Sequence, residues 1–188
     1  MTPLPTIDGG FRCIVADPPW SYRDKGSRIS PDQRSALVYP TMSTPDIAAL
    51  RVEAVSAEDA FLLLWTTDAH LLDGSAAHVA TSWGFEPKRI IVWVKRGLSG
   101  KLAFGAGHYV RGAHELVVLC RRGKAHVRQR NERSVFEAPR SQHSKKPDAL
   151  LDLAERLTPG PYLELFARRH REGWVAWGNQ LDPGEVAA

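Results

Sequence analysis

The chain has 188 residues, 43% hydrophobic and 24% charged, with a formal net charge of +4, which suits one domain over 1–188 with a substantial core. No apolar run approaches the roughly 20 residues of a membrane span, and Met1-Thr2-Pro3-Leu4-Pro5 lacks the basic and apolar regions of a signal peptide. The two cysteines, Cys13 and Cys120, lie in apolar runs and read as core thiols, not as a disulfide framework, so a reducing cytoplasm is the expected setting.

Phe11 to Ala16 reads as a short buried strand. Asp17-Pro18-Pro19-Trp20 follows it. An acid at the C-terminal end of a core strand sits where open α/β sheets place their chemistry. The two prolines fix the backbone and remove two N–H donors, so the loop carbonyls are expected to lack local partners and to face a ligand. Trp20 offers a flat apolar face with one donor. Carboxylate, carbonyls and ring together suit a planar base with an exocyclic amino group. The competing reading is a Pro-rich turn with Trp20 in the core.

A polar loop runs from Ser21 to Tyr39. Thr44 reads as a helix N-cap, with Pro45 at the first helical position. Ala60 to Trp65 is a continuous apolar run, as expected for a strand covered on both faces. Asp68 to Trp83 reads as one helix stopped by Gly84. Strands are expected at Arg89–Val94 and Glu115–Cys120, separated by the glycine-rich stretch Gly97 to Gly112. Pro147 starts a helix with Leu150, Leu151, Leu153 and Leu157 at helical spacing. Tyr162–Phe166 and Trp174–Trp177 read as the last two strands. This alternation predicts an α/β fold with a mostly parallel sheet and helices on both faces.

Charge is unevenly spread. Lys88 to Arg140 is basic, with Arg121, Arg122, Lys124, Arg128 and Arg130 close together after the strand ending at Cys120. These five are expected to contact a phosphate backbone beside the site, with a solvated loop as the alternative. The seven histidines show no His-x-x-x-His spacing and the cysteines no Cys-x-x-Cys, so no metal site is expected.

Asp17-Pro18-Pro19-Trp20 at a strand end resembles the signature of S-adenosylmethionine-dependent amino-methyltransferases, and its Trp form resembles the MTA-70 family of adenine N(6)-methyltransferases. Further segments are similar in order and spacing: Tyr39-Pro40-Thr41-Met42-Ser43, Ser144-Lys145-Lys146-Pro147-Asp148, Glu164-Leu165-Phe166-Ala167-Arg168-Arg169-His170 and Trp177-Gly178-Asn179-Gln180-Leu181-Asp182. The resemblance implies a Rossmann-like methyltransferase fold with permuted motif order, the catalytic motif preceding the cofactor motif. It implies S-adenosylmethionine as methyl donor, S-adenosylhomocysteine as product and no metal. Lys146, Arg168, His170, Asn179 and Gln180 fall on positions it associates with the cofactor, together with Asp17. Ala167-Arg168-Arg169-His170 stands where other methyltransferases carry a glycine-rich turn. Arg171 departs from the family's frequent Asn.

On this reading Asp17 and a carbonyl of Pro18-Pro19 accept the two N–H bonds of the N(6) amine. Both bonds strengthen as the nitrogen gains positive charge. Trp20 stacks on the base, Tyr39 covers its other face or hydrogen-bonds the sugar, and His108, in Gly107-His108-Tyr109, closes over substrate. The partner is nucleic acid, DNA in preference to RNA. With no separate target-recognition domain, sequence specificity is expected to be short or lax, and a duplex target would need base flipping. The alternatives are a catalytically silent nucleic-acid-binding subunit, an RNA adenine methyltransferase and a metal-dependent nuclease. The intact signature opposes the silent subunit, and Glu86-Pro87-Lys88 is a poor match to a nuclease.

Overall fold

The computed structural model describes residues 2–21, 40–105, 109–140 and 145–181. Tyr39 and His108, two of the expected substrate contacts, lie outside them. Strands β1 (Phe11–Ala16), β2 (Ser56–Thr66), β3 (Glu86–Arg96), β4 (His114–Arg122), β5 (Val135–Pro139), β6 (Tyr162–Leu165) and β7 (Trp174–Trp177) form one sheet. Its order is β5-β3-β4-β2-β1-β6-β7. The β1–β2, β1–β6, β6–β7 and β3–β5 pairs are parallel. Strand β4 is antiparallel to both its neighbours, β2 and β3. The sheet is mostly parallel, as the sequence predicts, and this one reversal decides which residues reach the site.

The helices are α1 (Thr44–Ala48), α2 (Asp68–Leu72), α3 (Ser75–Ser82) and α4 (Ala149–Leu157). They cover both faces. Ile14, Ala16, Leu62 and Leu64 pack with Ile47 of α1 and with Ala76, Val79 and Ala80 of α3. Cys13, Val15, Leu63 and Trp65 pack with Leu150, Leu151, Leu153, Ala154 and Leu157 of α4. Each leucine that α4 buries contributes about 1.5–3 kcal/mol, so packing holds this short helix in place.

The helix expected over Asp68–Trp83 is broken in two. Gly74 takes the left-handed conformation at φ 81 and is the N-cap of α3, and the Asp73 carboxylate accepts the Ser75 N–H at 2.9 Å. The apolar spacing continues through the break and hides it. Strand β5 is an addition to the sequence reading. Ser134-Val135-Phe136-Glu137-Ala138-Pro139 carries no apolar run, because β5 is an edge strand paired on one side with β3. No helix among the described residues is long and apolar enough to cross a membrane.

Candidate active site

Asp17 leaves the end of β1 into a cleft of about 450 Å³, within the range of small-molecule sites. The cleft opens between the C-terminal ends of β1 and β6 and the start of α4. Val15, Leu150, Leu151 and Phe166 supply its apolar wall, and Asp17, Lys145, Lys146, Glu164, Arg168 and Gln180 its polar groups. The register explains why two acids meet here. Val15 pairs with Glu164 and Ala16 with Leu165, so Val15, Asp17 and Glu164 project from the same face of the sheet.

Lys146, just ahead of α4, reaches back over this face. Its Nζ lies 3.1 Å from Asp17 Oδ1 and 3.1 Å from Glu115 Oε2, and 5.3 Å from the centre of the Trp65 ring. Burial raises the Asp17 carboxyl above its ordinary value. Lys146, by charge and hydrogen bond, opposes this, Glu115 adds to it, and Arg168 opposes it. For Lys146, burial favours the neutral amine, but Asp17 and Glu115 outweigh it and the ammonium is retained. Glu164 is a second perturbed acid of the cleft. Burial first, and the Asp17 charge second, push it up to about 7, against a smaller opposing pull from Arg171.

The Asp-Pro-Pro-Trp loop differs from expectation in two respects. Its carbonyls have local partners: Pro18 O accepts the Trp20 N–H at 2.8 Å and Pro19 O accepts the Met42 N–H at 2.8 Å. Each oxygen keeps a second lone pair, so an incoming amine shares the acceptor and does not find it bare. Trp20, expected to stack on a base, is 5% exposed. Its Nε1–H donates to the Trp65 carbonyl at 2.9 Å, and its ring stacks on His70 with centroids 4.8 Å apart. His70 is itself buried, with Nδ1 2.7 Å from the Thr67 hydroxyl. The structure thus corrects the stacking expectation in favour of the core reading. Indole burial and one satisfied donor fix the loop that carries Asp17. Trp20→Ala should therefore lower stability by about 3–5 kcal/mol, as removal of a core Trp does, read as a fall in urea midpoint with no cofactor or substrate present. A loss below ~1 kcal/mol would return the ring to a ligand-facing role.

Across the cleft, the turn after β6 is made without glycine. Phe166 takes φ 62, a conformation that costs a bulky residue strain. The Ala167 N–H donates to Trp177 O at 3.0 Å. Gly178 fits under this turn because it has no side chain: a Cβ there would lie 2.2 Å from the Ala167 carbonyl oxygen. Of the residues carried over for the cofactor, Asp17, Lys146, Arg168 and Gln180 line the cleft, whereas His170 and Asn179 are exposed and outside its lining. Arg171 pairs with Asp152 and Glu155 on α4, and Glu155 also accepts the Trp174 Nε1–H. Arg171 therefore ties the turn to the helix.

Sequence reasoning passed over Glu115 and Glu164 as site residues. Glu164 had a signal, being an acid one position before the end of an apolar strand inside a recognised segment. Glu115 had none, because its place depends on the reversed direction of β4. The same reversal corrects the basic segment. Asp17 is level with Trp65, whose partner on β4 is Val117, while Arg121 pairs with Phe61. Arg121 is thus four residues, about 13 Å, toward the opposite end of the sheet. Arg122 and Lys124 continue away from the site, and the Lys124 N–H is held by Asp59 Oδ1 at 2.6 Å. The Arg128 N–H donates to the carbonyl of Leu157, the last residue of α4, so Arg128 sits by the end of the helix far from Lys146, and Arg130 follows two residues on. These five residues do not border the cleft; the chain brings Lys145, Lys146, Arg168 and Arg169 to it instead.

A model of the MT-A70 family matches residues 11–180. The chain is 29% identical to a type II methyltransferase, M.MunI, of a Mycoplasma species over 94% of this chain and 80% of that protein. It is 32% identical to a probable N(6)-adenosine-methyltransferase MT-A70-like protein of rice, covering 94% of this chain and 24% of that one. It is 31% identical to the human N(6)-adenosine-methyltransferase catalytic subunit METTL3, covering 94% of this chain and 29% of that one. The chain therefore spans most of the Mycoplasma protein and about a quarter of the longer relatives. With the matched region running from β1 to Gln180 and enclosing the whole cleft, the chain belongs to the MT-A70 family of methyltransferases.

Proposed function

We propose that this protein transfers a methyl group from S-adenosylmethionine to the exocyclic N(6) amine of adenine in nucleic acid, DNA in preference to RNA. One observation carries the reading: Asp17, ending β1, shares a single cleft with Lys146, Arg168 and Gln180 in a chain of MT-A70 descent. The preference for DNA rests on similarity to a type II methyltransferase whose length the chain nearly spans.

The donor set fits the cofactor. An amino-acid zwitterion, a sulfonium and an adenosine require both signs of charge, an apolar wall and amide donors, and the cleft supplies each. Lys146 and Arg168 would hold the carboxylate and sugar, Asp17 and Glu164 the cationic groups, and Gln180 the polar edge of the nucleoside. When bound, S-adenosylmethionine supplies an electrophilic methyl on sulfur. The protein's part is positioning. Asp17 accepts one N–H of the target amine and localises its lone pair. As the amine took up the methyl group its nitrogen would become cationic, and the Asp17 carboxylate would stabilise it. Asp17 would then be placed to take up the N(6) proton that the methylated amine must lose.

The test is a labelled-methyl assay on single- and double-stranded DNA and RNA, with nucleoside analysis of the product. N(6)-methyladenine formed on DNA is the expected result. Label on RNA alone would move the substrate, and label on another base would overturn the reading. Lys146→Ala should raise the Kd for S-adenosylmethionine more than that for an oligonucleotide, since a charged contact is worth about 1.5–3 kcal/mol. Unchanged cofactor affinity would remove Lys146 from the cofactor site.

A further inference from the structure

The charges at the mouth of the cleft alternate along a row of four. Asp17 Oδ1 lies 3.1 Å from Lys146 Nζ, Lys146 Nζ lies 3.1 Å from Glu115 Oε2, and Glu115 Oε1 lies 2.8 Å from Lys95 Nζ. All four side chains are between 22% and 27% exposed, sheltered enough for their charges to act on one another. Glu115 is the second residue of β4, paired with Trp93 of β3. Because β4 runs against its neighbours, its first residues stand beside the last residues of β2 and β3, level with the Asp17 loop.

We propose that Glu115 is a positioning residue for methyl transfer: by sharing Lys146 with Asp17, it holds the ammonium midway between two carboxylates and keeps Asp17 a strong acceptor. The proposal rests on Asp17 accepting the target amine. A lysine has three donors and one charge. Paired with Asp17 alone, Lys146 would neutralise it and occupy the lone pairs that the substrate needs. Divided between two carboxylates 3.1 Å away on either side, it stabilises both and saturates neither. Lys95 completes the arrangement by holding the far oxygen of Glu115, which fixes that carboxylate's orientation toward Lys146. Burial alone would push Glu115 up, but Lys146 and Lys95 together draw it below the ordinary carboxylate range, so it is charged throughout the working range.

Three charged groups act on Asp17: Lys146 ahead of α4, Glu115 on β4 and Arg168 in the turn after β6; Lys95 on β3 pairs with Glu115, and Glu164 on β6 is the acid on which the Asp17 charge in turn acts. Removing the Glu115 charge takes away one of the effects that raise the Asp17 carboxyl and frees Lys146 to close on it. Both changes act in one direction, toward a more acidic and weaker acceptor.

The test follows the Asp17 carboxyl directly by 13C NMR titration of the cofactor-free protein, in wild type, Glu115→Gln and Glu115→Asp. In Glu115→Gln the midpoint should fall by roughly half a unit or more, as expected for loss of a charge at this range. In Glu115→Asp it should return toward wild type. With substrate, kcat of Glu115→Gln should drop about tenfold with its acid limb moved to lower pH, while the oligonucleotide KM stays within about threefold. An unmoved Asp17 midpoint in Glu115→Gln would overturn the proposal, as would a loss confined to thermal stability or to KM. Failure of the wild-type protein to bind S-adenosylmethionine or to methylate any nucleic acid would instead overturn the functional reading on which the proposal stands.

Discussion

Asp17→Asn should lower the methyl-transfer rate at least about a hundredfold, ~2.7 kcal/mol of transition-state stabilisation, while moving the thermal midpoint by only a few degrees. The substitution keeps size and one acceptor oxygen but removes the anion. The charge is what matters, because the bond to the amine must strengthen as nitrogen becomes cationic. The fold should tolerate the change. Lys146 keeps Glu115 as a partner at 3.1 Å, so no buried ammonium is stranded. Wild-type activity should fall on the acid side as Asp17 takes up its proton, above the ordinary aspartate range because burial raises the carboxyl; Asp17→Asn should lack this limb. Retention of more than about a tenth of wild-type turnover, a cost of ~1.4 kcal/mol, would remove Asp17 from the acceptor role, and a wild-type acid limb surviving in the variant would do the same.

The sequence displayed what local chemistry specifies. Strand β1 and the strand ending at Trp177 match their sequence reading because continuous apolar runs between polar turns have little alternative. The leucine spacing of α4 reports its buried face directly. Asp17, Lys146, Arg168 and Gln180 stand in ordered segments of the sequence, and the structure gathers them into one cleft. What stayed hidden depends on strand direction and on partners remote in sequence. An apolar run such as Glu115–Cys120 looks the same whichever way it points, yet its direction decides whether Glu115 or Arg121 stands beside Asp17. Two prolines leave donors missing, but they cannot show that the Trp20 and Met42 N–H groups fill the carbonyls from elsewhere. Likewise Trp20 carries the same single donor whether it faces a base or, as observed, the Trp65 carbonyl in the core.

Glu164→Gln should make the cofactor-free protein more stable above pH 7 and weaken its hold on S-adenosylmethionine. The carboxyl moves from 4.5 to about 7 on folding, chiefly by burial and then by the Asp17 charge. Between those values the folded state binds a proton that the unfolded chain has released. Stability is therefore highest below pH 4.5 as far as this group is concerned, falls as pH rises to about 7, and is level beyond. A shift of that size corresponds to roughly 3 kcal/mol, and solvent at the cleft mouth lowers this to about 1–3 kcal/mol. Glutamine removes the charge and with it the penalty. The gain should appear as a rise of roughly 3–10 °C in Tm at pH 8 and should vanish near pH 4.5. The base acting on Glu164 is Arg171, already committed to Asp152 and Glu155, so the anion is poorly compensated. A cation entering the cleft would compensate it and draw off its proton. Binding of S-adenosylmethionine near pH 7 should then release protons, seen as calorimetric heats that depend on the buffer's ionisation enthalpy. Glu164→Gln should abolish that release and raise the Kd about tenfold, ~1.4 kcal/mol. If Glu164→Gln is no more stable than wild type at pH 8, the carboxyl is not under the strain of burial. If it is more stable yet binds S-adenosylmethionine unchanged and with the same proton release, Glu164 is a cost of the fold with no part in holding the methyl donor.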